Sequence, residues 1–174
     1  MSTASTNYSS TTDSTALTIT LASLATSSTQ VAGRESTVVD NSSNKYMDAR
    51  VFGQITTGTS PTTAKSIVIW IYAPTKIVSS TFTYPVATTT NLTASDAAAT
   101  FEAEQRNMLR FGAAIQINAT SDRAYSFSFS IATKFGGVMP VKWGLWVTHD
   151  TGVNLNSTSG NHWIHYTGYK YDIA

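Results

Sequence analysis

Val138 to Tyr171, VMPVKWGLWVTHDTGVNLNSTSGNHWIHYTGYKY, is the stretch from which the fold is best read. It holds three of the four Trp residues and all three His residues. It reads as two apolar and aromatic strands joined by a polar, Gly-bearing turn, Asp150 to Asn161, and hence as a closing hairpin. Trp143 and Trp146 are three apart, so a strand sends them to opposite faces, one expected in the core and one exposed. His162 and His165 are also three apart and split in the same way, which weakens a two-His metal site on one strand.

The rest of the chain repeats this pattern. Arg123 to Ile131, RAYSFSFSI, alternates strictly, with Tyr125, Phe127 and Phe129 on one face and Ser126, Ser128 and Ser130 on the other. Ser66 to Ala73, SIVIWIYA, is β-branched or aromatic on both faces, as a central strand covered on both sides would be. Ala16 to Leu24, Val31 to Val39, Tyr46 to Ile55 and Met108 to Ile117 read as further strands. Ser95 to Gln105 is the one stretch with helix signals, a Ser that can cap and Glu102 and Glu104 within. The expectation is an all-β fold: a jelly-roll-like β-sandwich of about eight strands, with at most one short helix near 95–105. Residues 1–15, almost all Ser, Thr, Ala and Asn, are expected to form an extended polar arm, held by contact between subunits. Residues 16–174 form a single domain.

Composition limits the function classes. Charged residues are 12% of the 174, about half the usual share, and the net charge is +1. No Lys/Arg run exists, so no nucleic-acid partner is expected. There is no cysteine, which removes thiolate chemistry and disulfides. The longest strongly apolar run, Ile67 to Ala73, is too short to span a membrane. The first residues lack the basic and apolar regions of a secretion signal. No nucleophile elbow, Walker loop or dinucleotide fingerprint occurs. Asp96, Glu102 and Glu104 cluster in sequence, but Glu102 and Glu104 are two apart and would not face each other on a helix. Neither an enzyme nor a bound cofactor or metal is expected.

The residues that stand out are therefore candidates for contact with another molecule: Arg34, Glu35, Trp146, Trp163 and His165. Arg34 and Glu35 are rare charges in a neutral chain, and suit a salt bridge between subunits or an ion pair with Asp40, Asp48 or Arg50. Exposed Trp and Tyr are typical of protein interfaces. They also suit stacking on sugars, which leaves a carbohydrate-binding module as an alternative.

Three segments, VAGRESTVVDNSSNKYMDA (Val31 to Ala49), SDRAYSFSFSIATKFGGVMPVKWGLWVTHDTGVNLN (Ser121 to Asn156) and GNHWIHYTGYKY (Gly160 to Tyr171), together resemble small virion structural proteins of tailed double-stranded DNA bacteriophages. The distinctive phrase is W-G-x-x-V-x-x-x-T-G-x-x-L-N, from Trp143 to Asn156, followed by G-N-H. The resemblance implies a non-enzymatic capsid decoration, or cement, protein. Such a protein is made in the host cytoplasm and carried on the capsid surface. Its partners would be the major capsid protein and copies of itself, with a trimer favoured. A tail, fibre or baseplate component is the alternative within the virion. The resemblance carries no catalytic residue.

Overall fold

A computed structural model describes residues 6–10, 13–88 and 90–173. The strands in chain order are β1 (Thr6–Ser10), β2 (Thr15–Ala16), β3 (Ala32–Glu35), β4 (Val39–Asp40), β5 (Asp48–Thr56), β6 (Ser66–Tyr72), β7 (Lys76–Val78) and β8 (Thr81–Thr83). They continue with β9 (Val86–Ala87), β10 (Thr90–Asn91), β11 (Ala97–Thr100), β12 (Arg110–Gln116), β13 (Ala124–Ser130), β14 (Lys142–His149) and β15 (Trp163–Ile173). A single α-helical turn, α1 (Ile131–Lys134), follows β13.

Two antiparallel sheets carry the fold. The five-stranded sheet runs β1-β15-β5-β13, with β2 also on β15; the six-stranded sheet runs β11-β3-β14-β6-β12, with β4 also on β14. If β1 and β2 count as one strand and β4 and the strands of the 73–100 region are set aside, eight long strands remain. Their order is first-eighth-third-sixth in one sheet and second-seventh-fourth-fifth in the other. This is the strand order of a jelly roll, so the fold expected from alternation is the one observed.

The closing hairpin is not formed. β14 pairs with β3, β4 and β6, whereas β15 pairs with β1, β2 and β5. Residues 150–162 instead carry the chain from one sheet to the other. A hairpin needs a tight turn of a few residues, and this connection is too long to fix the register of one. It is pinned elsewhere: Leu155 N–H donates to Leu24 O, and Asn156 N–H to Thr56 O.

The main core lies between the sheets. Val51, Ile55, Phe127, Phe129 and Ile164 from the five-stranded sheet meet Ile67, Ile69, Ile71, Leu145 and Val147 from the other. Leu17 and Leu21 close one side; beyond β2 the stretch up to Leu24, expected as strand, forms none. The strict alternation of β13 is realised, with its Phe residues buried and Ser126 and Ser128 exposed.

A second core covers the outer face of the six-stranded sheet. The segment from 73 to 109 folds back over it, placing Ala87, Leu92, Phe101 and Leu109 against Tyr72 and Trp146. β6 is therefore apolar on both faces for the reason its sequence suggested. Ala97–Thr100, expected as helix, is an edge strand on β3, and a 3-10 turn follows at Gln105–Met108. Pairing with β3 satisfies the backbone of this alanine run and overrides its helical propensity. Gly33 on β3 is required by close approach: a Cβ there would lie 2.3 Å from Val147 O.

Within the arm, Thr6–Ser10 pairs with Tyr169–Ile173 of the same chain. Residues 1–5 and 11–12 lie outside the described residues.

Candidate functional site

The three histidines are separated by the two-sheet architecture. His149, at the end of β14, is fully buried; its Nε2 lies 3.0 Å from Leu24 O and its Nδ1 3.0 Å from Thr151 Oγ1. His162 accepts the Thr56 N–H on Nδ1 at 3.3 Å, so the ring proton sits on Nε2 and is donated to Asn156 O at 2.9 Å. Burial pushes both imidazoles below their ordinary pKa. These two rings tie loops to strand ends. Among the described residues no three His, Asp or Glu side chains are grouped as a metal site.

Arg34 and Glu35 are both engaged within the chain. Arg34 pairs through Nε with Asp96, which also accepts two hydrogen bonds from Thr20. Those bonds and the Arg34 charge outweigh the opposing effect of burial and hold the Asp96 carboxyl below the usual range. Glu35 is only 2% exposed and accepts from the Thr93 N–H, the Thr93 hydroxyl and the Ala94 N–H. Both charges staple the 73–100 region to β3: Arg34 makes an ion pair within the chain, with Asp96 rather than with Asp40 or Asp48, and Glu35 is buried. A cleft of about 360 Å³ opens beside Glu35, but that carboxylate already accepts three hydrogen bonds and the rest of the lining is Ala, Thr, Asn and Leu.

Trp146 is corrected in the same way. It does take the face opposite Trp143, yet both rings are fully buried. Trp146 packs edge-on against Phe101, centroids 5.0 Å apart, and donates its Nε1–H to Ala99 O at 3.1 Å. The second core hides it, so it cannot touch another molecule.

Trp163 and His165 do reach the surface, on the outer face of the five-stranded sheet, with Trp163 40% exposed. Phe52 joins them, a residue the irregular pattern of β5 had concealed. The register builds three cross-strand rows on this face: Ser126, Gln54 and Trp163; then Ser128, Phe52 and His165; then Ser130, Arg50 and Thr167. Trp163 stands edge-on to His165 (5.7 Å, 85°) and to Phe52 (6.3 Å, 76°). His165 Nδ1 is 2.9 Å from Ser14 Oγ, which anchors the group to the segment before β2.

A second surface lies at the end of the sandwich where β4, β6 and β14 meet. Loop 41–47, the β7–β8 hairpin and loop 135–141 converge there. Asn41 N–H donates to Val141 O, Lys142 pairs with Asp40 at 2.8 Å, and the Lys142 ammonium also caps the Phe82 ring at 4.3 Å. The hydrogen bond from Lys142 holds the Asp40 carboxyl at about 2. The segments that carry or flank these contacts expose Met47, Ile77, Val78, Val138 and Val141, with Val138 70% exposed. Sequence reading missed all five, because single apolar residues in loops and a three-residue strand carry no periodic signal.

No family model matches the chain, and no curated protein matches it. Among the described residues, no helix is long and apolar enough to cross a membrane.

Proposed function

We propose that the protein is a non-enzymatic structural component of a tailed-phage virion, a decoration protein that binds the outer capsid surface and stabilises the head. The observation that carries this reading is the exposure of five large apolar side chains, Met47, Ile77, Val78, Val138 and Val141, on the segments that carry or flank the Asp40–Lys142 and Lys142–Phe82 contacts. Monomeric proteins seldom expose large contiguous apolar surface without a use for it. At the root of these segments Asp40 and Lys142 pair with each other. Such an end suits a protein surface of low charge, and the major capsid protein is the partner the sequence resemblance supplies. Self-association as a trimer would repeat the contact, and multivalent attachment slows release far more than any single contact. Stabilisation then follows from linkage: a protein that binds the intact shell and not the opened one shifts the balance towards the intact shell.

The decisive experiment is to locate the chain in purified particles by electron microscopy, alongside a virion lacking it. Density on the capsid, with heads that release DNA at lower temperature when the protein is deleted, is the expected result. Density on the tail or baseplate, with heads of unchanged stability, overturns the reading in favour of a tail component. The docking end has its own test. Val138→Asp with Val141→Asp should reduce binding to capsids lacking the protein by at least about tenfold, the equivalent of about 1.4 kcal/mol. The melting temperature should stay unchanged, because both side chains are exposed. Wild-type binding by this variant removes the assigned surface.

A further inference from the structure

The outer face of the six-stranded sheet is covered by the 73–109 segment, whereas that of the five-stranded sheet carries an aromatic group in the open. We propose that this open face is a carbohydrate-binding platform that takes a neutral glycan chain laid across Trp163, Phe52, Gln54, Ser128 and Arg50.

The chemistry of the face selects the ligand. A sugar ring presents C–H groups on its faces and hydroxyls around its rim. The faces suit the electron-rich face of an aromatic ring, and the rim needs neutral donors and acceptors at close spacing. Both are present in register. Strand separation of about 4.8 Å and a two-residue repeat of about 6.8 Å make the three rows a plate about 10 by 14 Å. One long edge carries the serine hydroxyls of β13. The middle column carries the Gln54 amide, the Phe52 ring and the Arg50 guanidinium. The other edge carries Trp163 and His165.

The plate is also preorganised. Trp163 is braced edge-on by both Phe52 and His165, and His165 is held by Ser14. Arg50 donates through Nε to Ser128 Oγ at 2.9 Å, which fixes the guanidinium and keeps its Nη groups for other acceptors. A ligand therefore meets side chains whose rotamer freedom is already spent, which lowers the cost of binding. Beyond the third row the face continues into a cleft of about 400 Å³ lined by Asp48, Arg50, Ser128, Phe129, Ser130 and Tyr169. That volume lies within the range of ordinary small-ligand sites.

Charge argues for a neutral ligand. Arg50 is the only cation on the three rows, too little for a phosphate chain, which needs clustered cations. Asp48, the only carboxylate at the cleft, is committed: it accepts from the Ala49 and Ala132 N–H groups and from the Ser130 hydroxyl.

The test uses the full-length protein on an array of neutral and anionic glycans, followed by titration of tryptophan fluorescence with the neutral oligosaccharides that bind. At least one neutral class should bind. Trp163→Ala should weaken that binding by about tenfold or more, and Gln54→Ala or Arg50→Ala to a smaller degree. Phe111→Ala, an exposed aromatic on the other sheet, should leave it unchanged. Circular dichroism and the melting temperature confirm that each variant folds. An array without a neutral hit overturns the proposal, as do binding confined to anionic glycans and binding untouched by Trp163→Ala. If Trp163→Ala instead abolishes capsid attachment or self-association and no glycan binds, the face is a protein contact and the proposal fails.

Discussion

Replacing Trp146 by alanine is expected to lower the free energy of unfolding by about 3–5 kcal/mol, the range seen when a fully buried Trp or Phe is truncated. The indole is wholly inaccessible, packs edge-on against Phe101 at 5.0 Å, and satisfies Ala99 O through its Nε1–H. Truncation removes the apolar contact, opens a cavity in the second core and orphans a carbonyl beneath β11. The effect should also be local. The main core between the sheets contains Trp143 rather than Trp146, so the 73–109 segment should loosen before the sandwich melts. Amide exchange in residues 87–101 should therefore accelerate more than exchange in β5 or β13. A loss below about 1 kcal/mol, or uniform acceleration across both sheets, would contradict the idea that Trp146 anchors this segment.

The same residue shows where the sequence could be read and where it could not. Period-two alternation placed Trp143 and Trp146 on opposite faces, and that was right. It could not say that the second face was covered, because the cover lies some forty residues upstream in a Thr-rich stretch with no strong period. Arg123 to Ile131 was legible for the converse reason: one of its faces is solvent, and the serines record it. β6 was legible because six consecutive apolar residues require two covered faces. The hairpin between β14 and β15 was misread because adjacency in sequence cannot distinguish a turn within one sheet from a crossing between two. The length of residues 150–162 was the available clue. Ser95 to Gln105 looked helical on local propensity, and only pairing with β3, distant in sequence, made Ala97–Thr100 a strand.

The candidate site was legible in part. Trp163 and His165 were found because large aromatic and ring side chains stand out in a chain so rich in Ser and Thr. Phe52, Gln54 and Arg50 were not, since their common face appears only once β5 is set in register against β15. Arg34 and Glu35 drew attention as rare charges, and rarity was a sound guide to importance. Their role is internal: in a chain with few ions, those present hold the covering segment in place.

Acidification from pH 8 to pH 5 is expected to destabilise the protein through His149 and His162. Burial lowers both pKa values below 6.5 in the folded state, while in the unfolded chain each titrates near 6.5. The unfolded state therefore binds more protons in this window, and stability must fall as pH falls below about 6.5. The loss continues until the folded-state pKa is reached, at a rate of up to about 1.4 kcal/mol per pH unit for each ring. Geometry gives the reason at His162. Its Nδ1 accepts the Thr56 N–H, and a proton placed on Nδ1 would set donor against donor. The three carboxylates with lowered pKa values act in a different range. Asp40, Asp96 and Asp150 have lowered pKa values, so their contribution is complete above about 3.8 and is lost only in stronger acid. Denaturant unfolding at intervals between pH 8 and pH 5 measures the slope. His162→Asn should be less stable than the wild type at pH 8, yet should lose less on acidification, so the two curves converge towards pH 5. Parallel curves, or a wild type that gains stability as pH falls, would show that His162 is not held neutral by its bond to Thr56.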